Sequence, residues 1–324
     1  NSTVDGKLLV QSYSYGTAFS DVDLTIDPVT QDIVEKRAEI VTTFQDATHL
    51  DAKIKAEMDK YQADVAPITN QVVGNAAAPI SRTTNEAGEA PLGNLIADGM
   101  RAATNTDFAF MNIGGIRDDI KDAGDITWGE LFAIQPFGND IVTMNITGEQ
   151  VRTLLNQQFA ADRNRIMQIS GLKYTWSDLL PLGQKVIDIY LPSGKKIDPN
   201  GTYSVTVNNF MADGGDGFVV LKQGTGRTTW SSDLDAFVNY IKSFNGQPIS
   251  AKIEGRILIK DITAPDAPVV GQIIAPAKSV TGKAEAGSTV KVYNGKTLLG
   301  SAVAVQEGVF TISFKSAQTH DTVL

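Results

Sequence analysis

The 324 residues are 42% hydrophobic and 20% charged, the balance of an ordinary globular protein with room for two domains, or for one large domain and an appendage. A formal charge of −9 repels a nucleic-acid polymer overall, yet leaves space for a small anion beside a few local arginines. With no cysteine, disulfides, thiolate catalysis and cysteine-based zinc sites are excluded, and no apolar run reaches the length of a membrane span.

Two short apolar bursts open the chain, Leu8–Tyr13 and Val22–Ile26, and read as strands turned at Tyr15-Gly16 and ended by Asp27-Pro28. Leu50, Ile54, Met58, Tyr61 and Val65 then recur at three to four residues, which predicts an amphipathic helix from Thr48 to Val65, stopped by Pro67. A polar loop over 80–89 precedes a second helix over 92–103, with Leu92, Leu95, Ile96 and Met100 on one side. The strand Phe108–Met111 leads into Asn112-Ile113-Gly114-Gly115-Ile116-Arg117. Thr127 with Glu130, and Thr147 with Gln150, have the spacing of capping boxes, so each predicts a helix start. Between them lie Pro136-Phe137-Gly138-Asn139 and a strand over 141–146.

Further strands are expected over 172–176 and 186–191, the second turning at Pro192-Ser193-Gly194. A β-rich run over 203–207 delivers the chain to Asn208–Phe218, whose three glycines permit backbone angles that side chains forbid. Leu234, Phe237, Val238, Ile241 and Phe244 mark a helix begun by Ser231 or Ser232. Strands and helices interleave without a strict βαβ rhythm, so a mixed α+β domain is expected over 68–262. After the Pro-rich link Thr263–Pro268, alternating runs over 290–293 and 309–314 predict a small all-β sandwich.

Three loops carry equipment for a planar, hydroxylated, anionic ligand. Phe137 and Phe210 offer aromatic faces, and a base stacked on such a face gains ~1–3 kcal/mol. Asn139 has an amide suited to a ring edge, Asp216 accepts from ribose hydroxyls, and Arg117, in the same loop as Asn112, is suited to a phosphate or ribose oxygen. Each also has a plainer reading: Asn112 a turn former, Arg117 half of a surface ion pair, Phe137 and Phe210 core residues, Asn139 a loop cap. His49 and His320 stand far apart, and no metal site is expected on this chain.

In their order and spacing, Leu92-Gly93-Asn94-Leu95-Ile96-Ala97-Asp98, Asn112–Arg117, Pro136–Asn139 and Asn209–Phe218 together resemble the C-terminal, substrate-binding domain of the 5′-nucleotidases and 2′,3′-cyclic-nucleotide phosphodiesterases. The resemblance implies that Phe137 and Phe210 sandwich the base, that Asn139 and Asp216 meet base and ribose, and that Asn112 and Arg117 form the accompanying pair. It further implies that the Gly171 backbone lies beside the base and that Arg82 is a further arginine aimed at the phosphate.

Members of that family place a two-metal phosphoesterase domain before this one, and none of its ligand motifs occurs here. The resemblance therefore implies a division into the last strands of that domain over 1–28, a linker and connecting helix over 29–67, the substrate domain over 68–262, and a bacterial Ig-like module over 263–324. The expected ligand is a nucleoside or nucleotide, with no cofactor in this chain and two divalent metals on the preceding domain. A secreted or wall-attached bacterial hydrolase is implied, with a non-catalytic surface-binding or adhesion protein of the same fold as the rival.

Overall fold

The computed structural model describes residues 1–44, 50–271 and 276–318. The chain divides into two compact units, Asn1–Gln71 and Val72–Leu324.

In the first unit the strand pairing differs from expectation. Lys7–Leu9 pairs with Ser2–Val4, and Ala18–Ile26 pairs with Ile33–Thr42, so the two apolar bursts are not partners. Asp5 and Gly6 both take positive φ, which closes the first hairpin in the two-residue geometry that follows strand twist. Ile33–Thr42, expected as linker, was hidden by Glu35, Lys36, Arg37 and Glu39 among its apolar residues. The helix expected from Thr48 spans Ala52–Thr69, its Asp51 side chain accepting from the amides of Lys53 and Ile54 at 2.8 and 3.1 Å. Thr48 lies outside the described residues. Pro67 does not stop this helix, because in the last turn it removes a single backbone bond and the Asn70 amide still closes on Ala66. Ile54, Met58, Tyr61 and Val65 stand exposed along it.

The second unit is organised by a five-stranded sheet in the order Thr225–Ser232, Asp140–Thr147, Thr202–Asn208, Phe108–Met111, Gln168–Ser170. Only the central pair, Thr202–Asn208 with Phe108–Met111, runs parallel. Alternation along Phe108–Met111 sends Phe108 and Phe110 into one apolar layer and Ala109 and Met111 into the other. The first layer packs Val142, Val205 and Val207 against Leu154 and Leu155 of helix Gly148–Gln157, and against a three-stranded sheet of Val186–Tyr190, Lys173–Trp176 and Ile257–Ile259. The second packs the sheet under helices Pro91–Thr104, Trp128–Ile134 and Asp233–Lys242.

Both capping boxes form, with Thr127 and Thr147 accepting from the amides of Glu130 and Gln150 and receiving the reciprocal bonds. Ser232, rather than Ser231, caps the last helix through the Asp235 amide. Within 72–262, five strands have no counterpart among the expected elements: Val72–Ala76, Gly124–Thr127, Gln168–Ser170, Ile257–Ile259 and Thr225–Ser232. The last is almost wholly polar, and its place at the sheet edge needs no apolar face. The glycine-rich segment after Asn208 is two short helical turns, Asn209–Ala212 and Gly215–Gly217, rather than a simple loop.

Beyond residue 263 the described chain is all-β. Val269–Val270, Ala277–Lys283 and Val309–Gln318 form one sheet, Thr289–Asn294 and Thr297–Val303 a second, around Val280, Val290, Phe310, Ile312 and Phe314.

Candidate functional site

Strand direction gathers the site. Phe108–Met111 and Thr202–Asn208 end at one edge of the sheet, where Asp140–Thr147 and Gln168–Ser170, running the other way, begin. The segments after Met111, before Asp140, after Asn208 and before Gln168 therefore emerge together. They enclose a cleft of about 420 Å³ lined by Asn112, Gly114, Gly115, Arg117, Phe137, Asn139, Arg163, Phe210 and Asp216. Six of the eight residues singled out from the sequence thus share one opening.

Neither phenylalanine is a core residue. Phe137 is 56% and Phe210 45% exposed, values that set aside the plainer reading of each ring. Gly138, at φ 62, lets the chain turn directly behind Phe137. Phe210 lies flat over Gly215, where a β-carbon would meet three of its ring atoms at 2.5–2.6 Å. The Arg117 guanidinium sits 5.6 Å from the centre of the Phe137 ring and donates to the Gly114 carbonyl at 3.2 Å.

A chain of side-chain hydrogen bonds fixes the polar wall. Asn208 accepts from the Met211 amide at 2.9 Å and donates through Nδ2 to Asn112 Oδ1 at 2.9 Å. Asn112 Nδ2 in turn donates to Asp216 Oδ2 at 3.0 Å. Asn112 is buried, so this pairing sets its amide and holds the Asp216 carboxylate at the cleft. Asp216 itself takes φ 55 without being glycine, a conformation more often held where surrounding structure demands it.

Behind Asn139 stands a carboxylate. Asp233 begins helix Asp233–Lys242, is 2% exposed, and donates its amide to the Asn139 carbonyl at 2.8 Å. Burial pushes this carboxyl up to about 6. The bond from the Leu234 amide at 2.9 Å opposes the rise, and the nearby Asp140 charge adds to it.

Two expected residues lie elsewhere. Gly171 follows the Ser170–Ala109 pair, at the far end of the strand from Asn112; its lack of a side chain is required by the Asp107 carbonyl, 2.0 Å from where a β-carbon would stand. Arg82 does not line the cleft: Nη1 donates to the Ile116 carbonyl at 3.0 Å and its amide bonds Asp119, which braces the Arg117 loop from outside. Arg163 and Asp233 carry no signal in the sequence. Arg163 sits in a polar stretch with no motif, and an acid in a first helical turn reads as a dipole partner. Among the described residues, no three His, Cys, Asp or Glu are grouped to hold a metal, and His49 and His320 lie outside those residues.

Against this geometry, the family model described as 5′-nucleotidase, C-terminal domain, matches residues 39–223. The chain belongs to that family. The 5′-nucleotidase C-terminal domain is followed by a bacterial Ig domain, matched over residues 264–324. The chain is 43% identical over 271 residues to "Endonuclease YhcR" of Bacillus subtilis, covering 83% of this chain and 22% of that protein. It is 34% identical over 328 residues to "Cell wall protein Lmo0130" of Listeria monocytogenes, covering 95% of this chain and 42% of the other. The crystal structure of a 5′-nucleotidase precursor from Thermus thermophilus superposes with a TM-score of 0.62 at 32% identity, over 77% of this chain and 51% of that one. The chain thus spans between about a fifth and a half of the proteins it matches.

Proposed function

We propose that this chain is the nucleotide-recognition part of a larger bacterial phosphoesterase, with the base held between Phe137 and Phe210. The observation that carries the proposal is the single cleft in which two exposed aromatic rings face the Asn112–Asp216 pair and the Arg117 guanidinium. Stacking on two rings favours any base and contributes ~1–3 kcal/mol per face. Asp216 accepts from ribose hydroxyls, Asn139 meets the base edge, and Arg117 faces a phosphate or ribose oxygen.

Hydrolysis is assigned to another part of the parent protein, whose two divalent metals activate water. Support comes from relatives named "Trifunctional nucleotide phosphoesterase protein YfkN" and "5'-nucleotidase", of which this chain covers 18% and 48%. A place outside the cell or on its wall is supported by the Ig domain and by the relative named a cell wall protein. By itself the chain binds nucleosides and hydrolyses nothing.

Calorimetric titration with adenosine tests the site. Wild type binds saturably, and Phe137→Ala and Phe210→Ala each weaken binding by about 5- to 100-fold. Unchanged affinity in both variants contradicts the stacking site.

A further inference from the structure

We infer that Arg163 is a specificity-determining residue that meets a second anionic group on the nucleotide, so that the cleft takes nucleoside diphosphates in preference to monophosphates. This rests on the base site proposed above and names the substrate class for it.

The loop that carries Arg163 has a fixed frame. It joins helix Gly148–Gln157 to strand Gln168–Ser170, and at its start the buried Phe159 ring packs on Trp176 with 4.9 Å between ring centres. Phe159 and Asn164 pair across the loop as a β-bridge, and the Arg165 amide donates to the Gln158 carbonyl at 2.7 Å. At the tip, the Arg165 guanidinium donates to both oxygens of the Asp162 carboxylate, at 3.2 and 2.7 Å. The acid of this loop is thereby taken up by Arg165. Among the described residues the Arg163 side chain has no hydrogen bond or ion pair, although it lines the cleft.

Charge and position together assign its ligand. The chain carries a formal charge of −9, yet the described residues that line the cleft bring two guanidinium groups and one carboxylate, Asp216. A neutral nucleoside has no use for that excess, whereas phosphate oxygens match the guanidinium fork. The two arginines stand at different places along the row of loops. Arg117 is drawn to the base end, 5.6 Å from the centre of the Phe137 ring. Arg163 precedes the strand at the sheet edge, three strands along from the one that follows Phe137, or roughly 14 Å at the ~4.8 Å spacing of neighbouring strands. A base held between Phe137 and Phe210 leaves its ribose and first phosphate to Asp216 and Arg117. Arg163 is left to the charge that extends beyond them, and a second phosphate supplies it.

The test is calorimetric titration of the chain, in EDTA, with adenosine, adenosine monophosphate and adenosine diphosphate. Wild type binds the diphosphate about five- to tenfold more tightly than the monophosphate. Arg163→Ala brings the two nucleotides level, and Arg163→Glu makes the diphosphate the weaker of them. Adenosine affinity is unchanged in both variants, which shows that fold and base site are intact. The inference is overturned if wild type binds the diphosphate no more tightly than the monophosphate. It is equally overturned if Arg163→Ala weakens both nucleotides alike, which would put Arg163 on the first phosphate, or weakens adenosine as well, as a merely structural role would. Wild type that binds none of the three contradicts the base site itself; wild type that binds adenosine without favouring the diphosphate contradicts this inference alone.

Discussion

Asn112 Nδ2 donates to Asp216 Oδ2 at 3.0 Å across 104 residues of sequence, and so ties the end of the central strand to the turn that carries the cleft carboxylate. The bond joins a buried amide to a residue in the left-handed region, a conformation that costs a side chain about 1–2 kcal/mol. Asp216→Gly relieves that cost while losing the Asn112 bond, so the two effects oppose. Stability measured by thermal denaturation stays within about 1 kcal/mol of wild type. Adenosine binding weakens, and the preference for adenosine over its 2′,3′-dideoxy form is lost.

Gly215 sets the tilt of Phe210. A β-carbon there would stand 2.5 Å from the ring, too close for any arrangement that keeps the ring in place. Gly215→Ala therefore lifts Phe210 out of position and weakens adenosine about as much as Phe210→Ala does. Because Phe210 is a half-exposed ring, the ring moves rather than the fold, and the circular dichroism spectrum is unchanged.

Asp188 dominates acid stability in the region of strand Val186–Tyr190. Its carboxylate accepts from Lys196 and Lys260 at 2.7 and 2.8 Å, and these bonds hold its pKa down at about 2, below the usual carboxylate range. A depressed carboxyl contributes stability above its unfolded pKa and loses it as pH falls through the folded one. The two lysines are exposed, so the contribution is on the order of 1 kcal/mol after screening. In urea denaturation, Asp188→Asn is less stable than wild type at pH 6, and the gap closes between about pH 4 and pH 2.

Glu89 is fully buried and accepts from the amides of Glu254, Arg256 and Ile257 and from the Asn94 side chain. It thereby docks the segment before strand Ile257–Ile259 onto helix Pro91–Thr104. Glu89→Ala strands those donors and costs about 3 kcal/mol. Trp176, whose indole donates to the Ala87 carbonyl, reports the loss as a lower denaturation midpoint in fluorescence.

What the sequence made legible was local chemistry. Capping boxes, the helix over Pro91–Thr104 and the four motif loops are written in residues a few positions apart, and their resemblance to one family fixed the fold. What it hid depends on neighbours distant in the chain. Strand Ile33–Thr42 looks like a charged linker until Ala18–Ile26 is laid beside it. Arg163 enters the cleft only because Gln168–Ser170 runs opposite to Phe108–Met111. Asp233 has meaning only once the edge strand brings it behind Asn139. Gly171 shows the reverse case: its glycine is required by the Asp107 carbonyl, a packing constraint away from the cleft.

A base lying between two benzene rings carries a direct spectroscopic mark. Proton NMR of adenosine titrated with the chain should show H2 and H8 moving upfield under both ring currents, with part of the shift lost in Phe137→Ala, part in Phe210→Ala, and all of it in the double variant. Adenosine that binds without an upfield shift, or whose shift survives removal of both rings, would contradict the account.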